Sequence, residues 1–323
     1  MRATGFALVL FAGFATATMS QTPASSPNVI KLPAPLISMA VAATSNRAAV
    51  VSRDKKLTLW HLADGKLLRT IELATADIDV TAISDDGRWI FTGDHSGNVF
   101  VWDVNSGQAQ LQLRLPHYPA AASFSRDSKF LALAPMGDPV QVFDVGTRRM
   151  LYQTNAVAGG TAALAYSRDG ASIATADADT VVRVYDALTG KLVAENREFL
   201  LEPLAVDFSL DGRQVIAGGA DSFLIFIDAA SGKLLRRLQK TDEPVSTSGL
   251  RVSPDGSLIA TLLLKAENLS QPAPVVMWEV SSGQKKSQWM PPTPALSMDW
   301  TPDGRLISVG AVSDSLHIWT VPQ

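Results

Sequence analysis

The sequence predicts an all-β protein made of seven similar repeats, and three observations support this prediction. Seven short apolar runs each end in an aromatic or large apolar residue, the hallmark position: Trp60, Trp102, Phe143, Tyr185, Ile227, Trp278 and Trp319. A turn tetrad precedes most of these runs, and a glycine follows most of them. The hallmark positions are separated by 42, 41, 42, 42, 51 and 41 residues, and a period of about 40–45 residues is typical of four-stranded β-propeller blades.

The turn tetrads predict the first hairpin of each repeat. They are SDDG from Ser84, SRDS from Ser125, SRDG from Ser167, SLDG from Ser209, SPDG from Ser253 and TPDG from Thr301. In the first repeat, TSN at residues 44–46 takes this place. Asp-Gly and Asn tolerate the positive φ angles that tight hairpins need. A second turn is indicated by a glycine five residues after the hallmark position, at Gly65, Gly107, Gly190, Gly232 and Gly283.

The Trp102-Asp103 pair and the Ser-Pro-Asp-Gly type of turn resemble those of WD repeats. The resemblance covers roughly residues 28–323 and implies a seven-bladed β-propeller. Two departures are clear. The Gly-His pair that opens many family repeats is absent, so the family's His-Ser-Asp-Trp hydrogen-bond network is incomplete. The family's turn aspartate, six residues before the hallmark, is matched only by Asp54, Asp179 and Asp221. The repeats therefore resemble divergent, bacterial-type propellers.

The N-terminal segment has the layout of a secretory signal peptide, which we place at residues 1–20. Arg2 supplies a positive start, an apolar stretch runs from Gly5 to Phe14, and small residues permit cleavage after Ala17 or Ser20. This stretch is far shorter than the roughly 20 apolar residues that a membrane-spanning helix needs. We therefore expect an exported protein, located in the bacterial periplasm or otherwise secreted.

The mature chain is expected to begin with a flexible segment, residues 21–27, followed by one propeller domain over residues 28–323. The seventh repeat shows no outer strand after Trp319, whereas Val29 to Leu32 resemble the outer strands of other repeats. We predict that this N-terminal segment completes the last blade, closes the ring and pairs an otherwise exposed edge. A single domain is expected because one blade cannot bury its apolar face alone.

Composition argues against several classes of function. The net charge of -3 gives no general attraction to nucleic acid. The chain has no cysteine, which excludes disulfides and thiolate metal sites. It shows no nucleophile elbow, phosphate loop or dinucleotide fingerprint. We therefore expect no catalytic residues, no cofactor, no nucleic acid partner and no membrane span in the mature chain.

One group of polar loop residues is a weak candidate for a metal or proton-transfer site. His95 and His117 lie in loops of neighbouring repeats that share one face of a propeller, together with Asp94 and Asp138. Two imidazoles and two carboxylates are ligands that transition metals accept. Polar side chains are, however, ordinary in surface loops, so our expectation is that no metal is bound.

A second group occupies equivalent positions in three repeats. Asp207, Arg251 and Asp299 each stand two residues before a turn tetrad, which places them on inner strands near the central channel. An arginine between two carboxylates forms charge-assisted hydrogen bonds. The group is either a structural ion-pair cluster or a site for a polar ligand.

The sixth repeat carries an insertion of nine or ten residues, KAENLSQPAP at residues 265–274. Insertions on one face of a repeat array often belong to the binding face, although surface loops also lengthen at little cost in stability. The insertion predicts a partner-binding loop with four polar contact residues, Lys265, Glu267, Asn268 and Gln271.

These observations favour a non-enzymatic, extracytoplasmic scaffold that binds a protein partner, with a monomeric propeller inside a larger assembly. The alternative is a propeller enzyme or small-molecule sensor with a site at the channel mouth. Bacterial propellers that resemble this one include lactonases and dehydrogenase subunits. A purely architectural subunit of an envelope complex is a third reading, since fold alone does not decide function.

Overall fold

The computed structural model describes residues 27–42, 44–75, 77–221, 223–239, 245–265, 274–292, 295–310 and 313–321. Regular secondary structure in these ranges is β-strand throughout. No helix in this part of the chain has the length and apolar character needed to cross a bilayer. The predicted all-β class is confirmed.

The described strands form seven four-stranded antiparallel sheets, numbered here as they follow one another along the chain. Sheets 1 and 2 contain β2 (Leu36–Ala42), β3 (Arg47–Ser52), β4 (Lys56–His61) and β5 (Lys66–Glu72), then β6 (Ile78–Ile83), β7 (Trp89–Asp94), β8 (Asn98–Asp103) and β9 (Gln108–Arg114). Sheets 3 and 4 contain β10 (Pro119–Phe124), β11 (Phe130–Pro135), β12 (Gln141–Asp144) and β13 (Arg149–Gln153), then β14 (Thr161–Tyr166), β15 (Ser172–Asp177), β16 (Val182–Asp186) and β17 (Leu192–Asn196). Sheets 5 and 6 contain β18 (Pro203–Phe208), β19 (Gln214–Gly219), β20 (Phe223–Asp228) and β21 (Leu234–Gln239), then β22 (Val245–Val252), β23 (Leu258–Lys265), β24 (Val275–Glu279) and β25 (Lys285–Trp289). Sheet 7 contains β26 (Ala295–Trp300), β27 (Leu306–Gly310), β28 (Ser315–Trp319) and β1 (Asn28–Lys31).

Sheet 7 differs from the others because its fourth strand comes from the start of the described chain. β1 pairs antiparallel with β28, with Val29 opposite His317 and Ile30 opposite Leu316. The Lys31 ammonium adds an ion pair to Asp314, 3.0 Å away. The segment that sequence analysis placed at Val29 to Leu32 thus forms a strand one residue earlier, over Asn28–Lys31.

Neighbouring sheets pack face to face through apolar side chains. The first strand of each sheet contacts the first strand of the next, and β26 of sheet 7 contacts β2 of sheet 1. Seven buried apolar clusters within the described residues each join two neighbouring sheets. One of them packs Ile30 and Ile318 of sheet 7 against Val50 and Trp60 of sheet 1. The core is therefore distributed between sheets, as the repeat predicts.

The hallmark aromatic residues lie in these contacts between sheets. Trp60, Trp278 and Trp319 are buried in three different clusters, so the hallmark position packs one sheet against the next. Indole N–H groups in these positions also need acceptors because burial removes water. The Nε1 atom of Trp102 donates to the Thr92 hydroxyl at 2.9 Å, and that of Trp278 donates to the Thr261 hydroxyl at 3.0 Å.

Each turn tetrad is a hydrogen-bonded unit between the first and second strands of its sheet. In sheet 4 the Ser167 hydroxyl donates to Asp169 Oδ1 at 2.6 Å and accepts from the Ser172 N–H at 2.9 Å. The same carboxylate oxygen accepts from the Ala171 N–H at 3.0 Å. Serine and aspartate are thus required by the turn itself, as predicted from hairpin chemistry.

The last tetrad residue has a positive φ, which explains its usual identity. Gly170 has a φ of +72°, and a Cβ atom there would meet nothing within 4 Å, so only the backbone conformation favours glycine. Sheet 3 has no glycine at either of the two turn positions where the other repeats usually carry one. Ser128 takes the last tetrad position with a φ of 61°, and Arg148, five residues after the hallmark, also has a φ of 61°. A side chain in this conformation costs roughly 1–2 kcal/mol.

Candidate functional site

One strand position brings charged side chains from sheets 5, 6 and 7 into a central cavity. Asp207, Arg251 and Asp299 all line this cavity, which has a volume of about 220 Å³. The equivalent positions in sheets 2, 3 and 4 are Ala82, Ser123 and Ala165, which line it too. The three residues predicted from the sequence to lie together therefore share one cavity between the first strands of the sheets.

The two aspartates of this group are held by main-chain N–H groups of adjacent sheets. Asp207 accepts from the Phe208 N–H and, across the sheet boundary, from the Val252 N–H, both at 2.8 Å. Asp299 accepts from the Trp300 N–H at 2.9 Å and bonds the Val41 backbone in sheet 1. Burial raises the pKa of both carboxyl groups, and the Arg251 guanidinium opposes that rise. These carboxylates serve as links between neighbouring sheets.

Arg251 is less tightly held than its two neighbours. Its Nη1 donates to the Leu250 carbonyl at 2.8 Å, and its Nε lies 3.9 Å from Asp299 Oδ1, beyond hydrogen-bond distance. Its side chain keeps 46% of its surface accessible. The predicted ion-pair cluster is present on the Asp299 side, with much of the guanidinium facing the channel.

A second charged layer, which sequence analysis missed, surrounds the same cavity at the turn tetrads. Arg126 donates to Asp85 Oδ2 at 2.6 Å. Arg168 reaches from the first turn of sheet 4 to the Ser253 carbonyl in sheet 6 at 3.0 Å. Burial, together with the nearby charge of Arg126, lowers the pKa of the Arg168 guanidinium. The sequence does contain a pattern that indicates this charged layer, because the second residue of the turn tetrad is charged only in sheets 2, 3 and 4.

The loop face brings the predicted histidine group together only in part. His117 Nδ1 lies 3.0 Å from Asp138 Oδ2, as the shared face predicts. His95 instead pairs with Asp79, 3.0 Å away, and its ring stacks on Tyr118 with centroids 4.7 Å apart.

Asp94 is turned away from both histidines. It is buried, and its carboxylate accepts from the N–H groups of Ser96 and Asn98 and from the Asn98 side chain, at 2.8–2.9 Å. Among the residues described here, no three His, Cys, Asp or Glu side chains gather as metal ligands would.

The predicted partner-binding loop falls almost wholly outside the described residues. Lys265 is the last residue of β23, where it pairs with Val245, and so belongs to the strand. Glu267, Asn268 and Gln271 lie outside the described ranges, as do the predicted signal peptide at residues 1–20 and residues 21–26. β22 and β23 are eight residues long, so the sixth repeat also has a longer hairpin.

A buried ion pair supports the turn between β15 and β16. Asp177, fully buried, accepts from Thr161 Oγ1 at 2.6 Å, Thr175 Oγ1 at 3.0 Å and Arg183 Nη1 at 2.7 Å. Arg183 also forms a two-point contact with Asp179, at 2.9 and 2.6 Å. Burial raises the pKa of the Asp177 carboxyl, and the hydrogen bonds from Thr161 and Arg183 oppose the rise. Asp179, the turn aspartate six residues before the hallmark Tyr185, is thus part of an ion-pair network in sheet 4.

Apolar side chains are exposed on the fourth strands of three consecutive sheets. β13, β17 and β21 are edge strands, each at one end of its sheet. Each exposes a neighbouring apolar pair with between 37% and 51% of the residue surface accessible: Met150 and Leu151, Leu192 and Val193, and Leu234 and Leu235. We call these three pairs the rim pairs. The fourth strand of sheet 1 exposes an equivalent pair, Leu67 and Leu68, at 42% and 41%.

Comparison with known proteins matches both the fold and the repeat. A family model described as the NWD2 C-terminal beta-propeller matches residues 29–199, more than half of the chain. WD repeat-containing protein SL1-17 of Schistosoma mansoni is 29% identical over 113 residues, which cover 35% of this chain and 38% of that protein. Autophagy-related protein 18 of Kluyveromyces lactis is 25% identical over 118 residues, 35% of this chain and 24% of that protein.

Nuclear distribution protein PAC1 of Arthroderma benhamiae is 24% identical over 105 residues, which cover 32% of this chain and 23% of that protein. The chain thus matches between about a quarter and two fifths of the length of these relatives. The family match, the four-stranded antiparallel sheets and the hallmark residues agree with one another. The chain belongs to the NWD2 C-terminal β-propeller family of WD-repeat proteins.

Proposed function

We propose that this protein is an exported, seven-bladed WD-repeat propeller that acts as a non-enzymatic scaffold for a protein partner. The seven four-stranded sheets are its blades. The contact of β26 with β2, and the bond between Asp299 and the Val41 backbone, support a closed ring. β1 supplies the outer strand of the seventh blade and pairs an edge that would attract other chains.

The rim pairs are the observation that carries the scaffold proposal. Side chains such as Leu192 and Leu151 are about half exposed, and the pairs to which they belong recur on three consecutive sheets. They lie on edge strands, whose outward N–H and C=O groups can also pair with a partner strand. A partner that covers blades 3 to 5 would remove both the apolar surface and the open edges from water.

Export and the insertion complete the proposal. The apolar stretch from Gly5 to Phe14 and the small residues after it support removal of a signal peptide after Ala17 or Ser20. N-terminal sequencing of the chain recovered from the envelope fraction should therefore begin at Thr18 or Gln21. The insertion at residues 265–274 gives a second binding face, and the test below separates it from the rim.

The test is cross-linking capture from native envelope extract, followed by binding measurements with the recovered protein after purification. Four forms of the full chain are compared: the natural sequence, Leu192→Ser with Val193→Ser, Leu67→Ser with Leu68→Ser, and a form with residues 265–274 shortened to a tight turn. Leu67 and Leu68 are exposed to a similar extent on the outer strand of sheet 1. They are a matched control, because the same change is made at the same strand position in a blade outside the proposed surface.

We expect one stoichiometric protein with the natural chain, at least tenfold weaker binding to the Leu192/Val193 variant, and unchanged binding to the Leu67/Leu68 variant. Loss of binding only with the shortened loop would move the interface to the loop face and reject the rim. Recovery of no protein above background by the natural chain would contradict the scaffold proposal itself.

A further inference from the structure

At one strand position, two residues before each turn tetrad, the channel has two chemically different sides. Blades 2, 3 and 4 present the small side chains Ala82, Ser123 and Ala165, whereas the same strand position is charged in blades 5, 6 and 7. Met39 and Val41 of blade 1 extend the uncharged side. A ligand that suits this space has a short apolar body against the small residues and a polar end against the charged side chains.

The hydrogen-bonding groups that remain open in the channel are guanidinium N–H groups, although its six charged lining residues, Asp85, Asp207, Asp299, Arg126, Arg168 and Arg251, carry no net formal charge. Asp207 already accepts two main-chain N–H groups, and Asp85 is paired with Arg126 at 2.6 Å. Toward the described part of the chain, only Nη2 of Arg168 and only Nη1 of Arg251 donate within hydrogen-bond distance, both to main-chain carbonyls. The two arginines line the cavity, and their other guanidinium N–H groups have no acceptor among the described residues.

We propose that the channel binds a small organic acid, with its carboxylate held by Arg251 and Arg168. A guanidinium offers two parallel N–H donors that match the two oxygens of a carboxylate. The volume of about 220 Å³ is below the roughly 300–1,000 Å³ of pockets for drug-sized ligands, so the acid is a small aliphatic one. This inference is independent of the protein partner, because the channel and the rim lie at opposite ends of each sheet.

Calorimetric titration of the full chain with succinate, succinamide and inorganic phosphate tests the proposal. Succinamide has the same skeleton as succinate without its charge, and phosphate has the charge without the skeleton. Arg251→Met removes both the positive charge and the paired N–H donors of the guanidinium. Arg251→Lys keeps the positive charge but not the paired donors. Arg213→Met is the matched control, because Arg213 is an exposed arginine of blade 5 that does not line the cavity. A thermal scan of each variant reports whether it is folded.

We expect succinate to bind, with binding at least about tenfold weaker for succinamide and for Arg251→Met. Arg251→Lys should lie between the natural chain and Arg251→Met, and Arg213→Met should bind as the natural chain does. Should Arg251→Met fail to fold, Arg168→Met replaces it in the same comparison. The proposal is overturned if succinate gives no heat at millimolar concentration, if phosphate binds and succinate does not, or if folded Arg251→Met and Arg168→Met bind succinate normally.

Discussion

Removing Arg183 should destabilise the protein by an amount that grows with pH. The side chain is the charged partner of Asp177, which is fully buried behind two threonine hydroxyls. Arg183→Met keeps most of the side-chain volume and removes the charge. Breaking a buried ion pair from one side typically costs about 3–5 kcal/mol, because the remaining charge is left uncompensated.

The upper limit of that cost follows from protonation. A buried, unpaired Asp177 avoids its charge by binding a proton in the folded state, while in the unfolded state its pKa is about 3.9. The cost of that proton is about 1.4 kcal/mol per pH unit above this value, or about 4 kcal/mol at pH 7 and about 1.5 kcal/mol at pH 5. Because the folded-state pKa of Asp177 is raised above its unfolded-state value, the free energy of unfolding falls as pH rises from the unfolded-state pKa toward the folded-state pKa.

Urea unfolding of the natural chain and of Arg183→Met at pH 5 and pH 7.5 provides the assay. Arg183→Met with Asp177→Asn is the control, because asparagine carries no charge to neutralise, so the stability of this double variant should fall no more steeply with pH than that of the natural chain. The reasoning is refuted if Arg183→Met loses the same stability at both pH values, or if the double variant shows the same pH dependence as the single one.

Three other predictions concern single hydrogen bonds and turns. Thr261→Val should lower the free energy of unfolding by about 1–3 kcal/mol, because it leaves the buried Trp278 indole N–H without an acceptor. Adding Trp278→Phe removes that N–H and should recover part of the loss. An equal loss in the double variant would show that packing, and not the hydrogen bond, explains the effect. Ser128→Gly should raise the thermal midpoint by relieving a positive φ at a stability gain of up to about 1 kcal/mol, and a lower midpoint would contradict this. The Ser209 hydroxyl and the backbone lower the pKa of Asp211, so that stability is present above the unfolded pKa near 4 and is lost as pH falls below it. Ser209→Ala should therefore lose less stability than the natural chain between pH 4.5 and 2.5 in urea unfolding, and an identical acid profile would exclude the hydroxyl as the cause.

The repeat architecture could be predicted from the sequence because each sheet repeats the same local chemistry. The turn tetrad at Ser167 and the hallmark at Trp278 each report a local requirement, and equal spacing places them in equivalent sheets. The same logic located Asp207, Arg251 and Asp299 in one channel, since equivalent positions on inner strands must face one another. The repeat period alone was sufficient to predict the position of these features in the fold.

Side-chain directions at loops could not be predicted in the same way. Spacing placed Asp94 beside His95, but successive residues at a strand end point to opposite sides, so Asp94 is buried and His95 pairs with Asp79. The reach of Arg168 to Ser253 was missed because it joins blades that are two apart. Such a contact depends on the width of the channel, and the spacing of the repeats along the chain does not determine that width.

Closure of the ring is the central claim, because the channel exists only if blade 7 meets blade 1 and β1 completes it. The chain has no cysteine, so the pair Val29→Cys with His317→Cys can be oxidised without competing thiols. These residues are directly opposite each other in β1 and β28, which places their Cβ atoms about 4.5–5.5 Å apart. We predict an intramolecular disulfide in the folded monomer and a gain of about 2–4 kcal/mol in unfolding free energy. Free thiols in the oxidised pair, as expected for the control Val29→Cys with Leu235→Cys, would contradict the closed ring.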